Sequence, residues 1–201
     1  MYWPTVAKVS RRSGGVRLEL AADEAGEIDS LIEQLATLLA PAPEVDTVES
    51  VAADPRADTD ADTLAGLEWP GSNPVDVPDD PAVRRLLPDA YRDDPEAAAE
   101  FRRYTDLTLR DEMAADIAVV QADLLSLAAP PHQLTLTDES AEAWLRVLNR
   151  LRLVLAVRLG IETAHDHEVL EYIDPADPRA EAFMLYEWIG YLLGSVLRAL
   201  R

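Results

Sequence analysis

Cysteine is missing from all 201 residues, which excludes disulfides, thiolate zinc sites, iron–sulfur clusters and a cysteine nucleophile. Lysine is nearly missing too: of the 18 basic residues all are Arg except Lys8. The eight glycines form no phosphate-cradling loop, dinucleotide fingerprint or nucleophile elbow, and Gly14-Gly15 reads as a turn. No long apolar run goes uninterrupted. The most hydrophobic stretch, AFMLYEWIGYLLGSVLRAL from Ala182, carries Glu187 and Arg198, so a buried terminal helix is expected and not a membrane span. MYWPTVAKVSRR lacks an apolar signal region, and the expected location is cytoplasmic.

What is abundant is acid. Hydrophobic residues make up 48% of the chain, enough for one core, yet the net charge is −20. Half of that excess is concentrated. Residues 41–80 hold eleven Asp or Glu against Arg56 alone, a balance of −10. This stretch reads as a flexible acidic insertion, with a short turn near Asp62–Leu67 and Trp69-Pro70 docking its end. So acidic a chain repels phosphate backbones, and no direct nucleic-acid partner is expected.

Periodicity predicts a mainly α fold: a helical bundle with a small N-terminal β-hairpin and the acidic loop outside its core. It is expected to be a single domain over 1–201, with hairpin and first helix in 1–40, the insertion in 41–80 and the helical core in 81–201. Val16, Leu18 and Leu20 alternate with Arg17 and Glu19 as in a half-buried strand after the glycine turn. Ile28, Leu31, Ile32, Leu35 and Leu39 predict a helix from about Asp23 to Ala40. A short helix should span 81–87. Asp94-Pro95 should start a long helix running to about Ala129, with Phe101 and Tyr104 on its core stripe, until Pro130-Pro131 ends it. HQLTL reads as extended. Thr137 should cap the next helix and Gly160 end it. A short helix near Glu168–Ile173 and a final helix to Leu200 complete the chain.

Few residues offer chemistry. His165-Asp166-His167-Glu168 is the most metal-like cluster, but it lacks a distant third ligand and also suits a solvated helix start. No metal or cofactor is therefore expected, His165 and His167 being the weak candidates. His132 reads as a surface residue. Glu187, inside the apolar last helix, is the one candidate buried base; a place at the solvent boundary, or pairing with an arginine such as one on the Arg146–Arg158 helix, is the plainer reading. No catalytic residues are expected.

The stretch RRLLPDAYRDDPEAAAEFRRYTD, from Arg84 to Asp106, resembles an arginine patch until its charges are counted: five Arg and six acids give −1. Glu100 with Arg103, Arg102 with Asp106, and Asp106 with Arg110 have helix-neighbour spacing, worth about 0.2–0.5 kcal/mol per pair. Its arginines suit structural pairing or a protein contact better than DNA. Arg84, Arg85, Tyr91, Arg92, Arg102, Arg103 and Arg110, with Trp188, are the candidate partner-binding residues.

This stretch, together with AEAWLRVLNRLRLVLAVRLGI from Ala141 and YEWIGYLLGSVLRAL from Tyr186, resembles an actinobacterial domain-of-unknown-function family whose members include AosR-like oxidative-stress transcriptional regulators. The resemblance implies a non-enzymatic regulator acting through a protein partner such as a sigma factor or other transcription machinery. A proteostasis accessory linked to the Clp protease is the alternative, and an enzyme or metal-binding protein using Glu187 or His165 and His167 stands behind both. The family brings no catalytic residues to carry over. Without cysteine, a thiol switch is not available. A homodimer is expected, because the last helix has more apolar surface than one side can bury.

Overall fold

Val16, Leu18 and Leu20 are buried on one face of a small antiparallel sheet in the computed structural model, which describes residues 7–40, 77–91, 93–127 and 132–201. Strands β1 (Lys8–Arg12) and β2 (Gly15–Glu19) pair from Lys8↔Glu19 to Arg12↔Gly15. The two-residue turn between them is Ser13-Gly14, where Gly14 supplies a positive φ of 111°, and Gly15, at φ 144°, opens β2 opposite Arg12. HQLTL does more than extend. Its strand β3 (Gln133–Leu136) pairs with the other side of β2, giving the order β1-β2-β3.

Among the described residues six helices follow the predicted order: α1 (Ala22–Leu39), α2 (Pro81–Leu86), α3 (Pro95–Leu127), α4 (Asp138–Leu159), α5 (Ala164–Glu171) and α6 (Ala180–Leu200). Local chemistry fixes their ends. Asp80 accepts from the Ala82 N–H at 2.8 Å, and Asp94 from the Ala97 N–H at 3.1 Å. Thr137 accepts from the Ser140 N–H at 3.1 Å, and Gly160 closes α4 at φ 72°.

The core lies where α4 and α6 pack along each other, with β1 and β2 against α6 and with α1 and α3 alongside. Trp144, Leu148, Ile189 and Leu192 are fully buried there. Each such side chain contributes about 1.5–3 kcal/mol by leaving water. Because α6 is covered by both α4 and the sheet, most of its apolar residues are accounted for within one chain; of its large apolar side chains only Met184, Tyr191 and Leu197 stay substantially exposed.

Three local expectations change. Helix α5 begins four residues earlier than its apolar pattern indicates, because Thr163 and Asp166 form a capping box. Tyr104 is 67% exposed, off the core stripe: the inward line at this end of α3 runs Ala98, Arg102, Asp106. His132 is half-buried, less open than a free surface side chain. At φ 56° its ring nitrogen meets the Leu127 carbonyl at 3.0 Å, and its own carbonyl accepts from the Leu20 N–H at 3.2 Å. The insertion's 41–76, with the turn at Asp62–Leu67 and Trp69-Pro70, lies outside the described residues, as do Arg92 and Pro130-Pro131.

Candidate interaction surface

Helix α4 commits four arginines to its neighbours. Arg146 reaches Asp116 of α3 through Nε at 3.0 Å and Nη2 at 2.7 Å, and Arg150 reaches the same carboxylate at 2.6 Å. Burial pushes the Asp116 carboxyl up, but the two guanidiniums outweigh it and hold it below the usual aspartate range. Arg158 bonds Asp80 at the start of α2 at 2.6 Å and 3.0 Å. Arg152 lies 4.5 Å over the Tyr186 ring of α6, where a Cβ on Gly190 would come within 3.2 Å of its Nε. These side chains assemble the bundle and leave little for a partner.

The Arg84–Asp106 arginines divide in two. Arg102 is buried and bonded to Asp89, not to Asp106 as its helical spacing predicts. Arg110 takes Asp106 at 2.7 Å, the expected pair, and also donates to the last-turn Leu39 carbonyl of α1 at 2.6 Å. Both therefore tie α3 to its surroundings. Arg84 and Arg85 are exposed, the first donating to the Pro78 and Asp79 carbonyls. Tyr91 is exposed with its ring edge-on to Phe101, centroids 6.2 Å apart. Arg103 bonds the Tyr104 hydroxyl at 2.7 Å and lies over that ring. Tyr104 and Leu107 add exposed apolar area. So Arg84, Arg85, Tyr91 and Arg103 present side chains to solvent, while Arg102 and Arg110 face inward.

Trp188 is buried, and its indole N–H interacts with a carboxylate the sequence did not single out, Glu24. Glu24 is itself buried at the start of α1 and accepts from the Ala21 N–H at 2.8 Å. Burial raises its carboxyl, against the lowering effect of the Ala21 and Ala7 amides. Its place in the first turn is a legible capping signal. Its burial brings it to Trp188, in the last helix of the chain, and to the Ala7 amide.

Glu187, the candidate buried base, is half-exposed at the solvent boundary and bonds His167 Nε2 at 2.8 Å across to α5. His167 also approaches Glu171 at 3.5 Å and packs against the Phe183 and Tyr186 rings. His165 points away, exposed, 3.9 Å from Glu168. The partner of Glu187 is thus a histidine and no α4 arginine. Among the described residues no group of three or more His, Asp or Glu side chains is placed to hold a metal ion. Nor is any described helix long and apolar enough to cross a membrane.

Comparison with known proteins adds the following. A family profile described as a domain of unknown function, DUF2017, matches residues 6–200. The putative oxidative stress regulator AosR of Mycobacterium leprae is 32% identical over 133 residues, 61% of this chain and 59% of that protein. The oxidative stress regulator AosR of Mycobacterium tuberculosis is 34% identical over 125 residues, 57% of this chain and 56% of that protein. The match thus spans under two thirds of these relatives' length. No solved structure matches.

Proposed function

The chain belongs to the DUF2017 family, and from that premise we propose that it is a non-enzymatic regulatory protein that works in the cytoplasm by binding another protein, with a sigma factor or another part of the transcription machinery as the partner. The observation that carries this reading is its similarity to proteins named oxidative stress regulators. Physical chemistry supports the protein-binding form of it. A net charge of −20 opposes solitary binding to DNA and favours basic partner surfaces, including ones that otherwise contact nucleic acid. Arg84, Arg85, Tyr91, Arg103, Tyr104 and Leu107 supply the mixture of guanidinium, aromatic and aliphatic groups that protein contacts use, because each gives contact area without a deeply buried charge. Any response to oxidants then resides in the partner or in the amount of this protein, since no thiol is available to switch.

The test is affinity capture of the intact chain from a lysate of its native host or a close relative, beside an Arg85→Glu, Arg103→Glu variant. Recovery of a sigma factor or polymerase subunit by the wild type, lost in the variant, supports both partner and surface. Recovery of Clp components in their place moves the function to proteostasis. Equal capture by the variant removes these arginines from the interface while leaving the partner identified.

A further inference from the structure

Among the described residues β1 is an edge of the sheet, with β2 on one side only. The Leu20 N–H donates to the His132 carbonyl on the β3 side, so Val16, Leu18 and Leu20 turn their main-chain groups toward β3. Gly15, Arg17 and Glu19 then turn theirs toward β1, where they face Arg12, Ser10 and Lys8. By the same alternation, the N–H and C=O groups of Val9 and Arg11 point outward. No other main-chain group bonds them among the described residues.

This edge opens on a groove of about 500 Å³ between β1 and α6, with Lys8, Arg11, Tyr191, Ser195 and Arg198 around it. The charge here runs against that of the whole chain. Lys8, Arg11, Arg12 and Arg198 are all exposed. Arg11 is engaged by Asp138, whereas Lys8, Arg12 and Arg198 have no carboxylate within ion-pair distance among the described residues. Arg198 donates only to the neutral Ser195 hydroxyl, at 2.9 Å.

Unpaired edge groups attract a further strand. The charges select which one. A second copy of KVSRR laid antiparallel would set Lys and Arg against Lys and Arg, and like charges across a strand pair are destabilising. An extended segment with Asp or Glu at alternate positions meets them favourably. We infer that the β1 edge and the adjoining α6 groove form a docking site for an extended acidic segment of a partner protein, added as a fourth strand beside β1. Main-chain bonds to Val9 and Arg11 hold it, and Lys8 and Arg12, which share the face opposite Val9, select its charge. The site rests on the protein-binding reading above but uses a different surface from the α2–α3 arginines.

Fluorescence anisotropy of a labelled octapeptide alternating Glu and Val, titrated with the intact chain, tests this without any cellular partner. It can therefore fail while affinity capture succeeds, or succeed while capture fails. Binding is expected for the Glu peptide, at least tenfold weaker for the matching Lys peptide, and weaker at higher salt. Lys8→Glu with Arg12→Glu, both surface positions, should reduce affinity at least tenfold. Val9→Pro removes one outward N–H while sparing the β1–β2 bonds, and should weaken binding in a variant whose circular dichroism is unchanged. As a readout within the wild type, amide exchange at Val9 and Arg11 should slow when the peptide is bound.

Failure of the Glu peptide to bind overturns the proposal, leaving the basic residues as guards against edge pairing. Binding that depends on charge but leaves both amides unprotected overturns strand addition. A wild-type dimer in light scattering that Val9→Pro converts to monomer assigns the edge to a second copy instead, and overturns it as well.

Discussion

Replacing Asp116 with Asn removes one negative charge and nearly no volume from the junction of α3 and α4. In the wild type the Asp116 and Arg150 side chains are only 11% and 14% exposed, while Arg146 is 48% exposed. Losing one partner of a buried ion pair costs about 3–5 kcal/mol, because a charge is left uncompensated. Here Arg146 can return to water, so the loss should be about 2–4 kcal/mol, most of it from stranded Arg150. For a chain of this length that corresponds to a fall of roughly 5–15 °C in Tm. Calorimetry or circular dichroism melts at neutral pH measure it, with exposed Asp111→Asn as a control expected within about 0.5 kcal/mol of wild type. The pH dependence adds a second readout. The Asp116 carboxyl is lowered in the fold, so its stabilisation is present above its ordinary value of 3.8 and is lost as pH falls through the lower folded value. Wild type and variant should converge in acid. A loss below about 1 kcal/mol would show that Arg146 and Arg150 do not brace α3 as the geometry indicates.

Three further outcomes can be measured on the same footing. Gly15→Ala should cost about 2–4 kcal/mol, since a Cβ there runs into the Leu136 carbonyl and breaks the β2–β3 pairing; Gly14→Ala, with open space around it, should cost about 1–3 kcal/mol for its positive φ alone, and equal losses would contradict the clash. Asp80→Ala should cost about 1 kcal/mol as a lost cap, plus a smaller amount from the partly exposed Arg158 pair, and denaturant titration with no change would dismiss both roles. Glu24 is raised above 4.5, so its contribution is complete below that value and declines as pH rises through the folded value; Glu24→Gln should lack this decline, and parallel stability profiles for the two proteins would contradict it.

Strand alternation, helix periods and end signals belong to neighbours in sequence, and the sequence displayed them by itself. VRLEL, Asp94-Pro95, Thr137 and Gly160 mark elements that the structure contains at those places. The DUF2017 membership was likewise legible, from Arg84–Asp106 and the two later helices. Tertiary structure decided the partners of the charges. Arg102 has Asp106 at helical spacing yet bonds Asp89, because α3 turns that face toward the preceding turn. Glu187, embedded in an apolar run, is half-exposed beside His167, while Glu24, in an ordinary capping position, is the buried carboxylate. HQLTL announced extension but not its place beside β2, nor that β1 would keep a free basic edge along α6. Local spacing fixes backbone geometry through contacts a few residues apart. Burial and ion pairing depend on which distant surfaces meet, and a linear pattern does not encode that meeting one residue at a time.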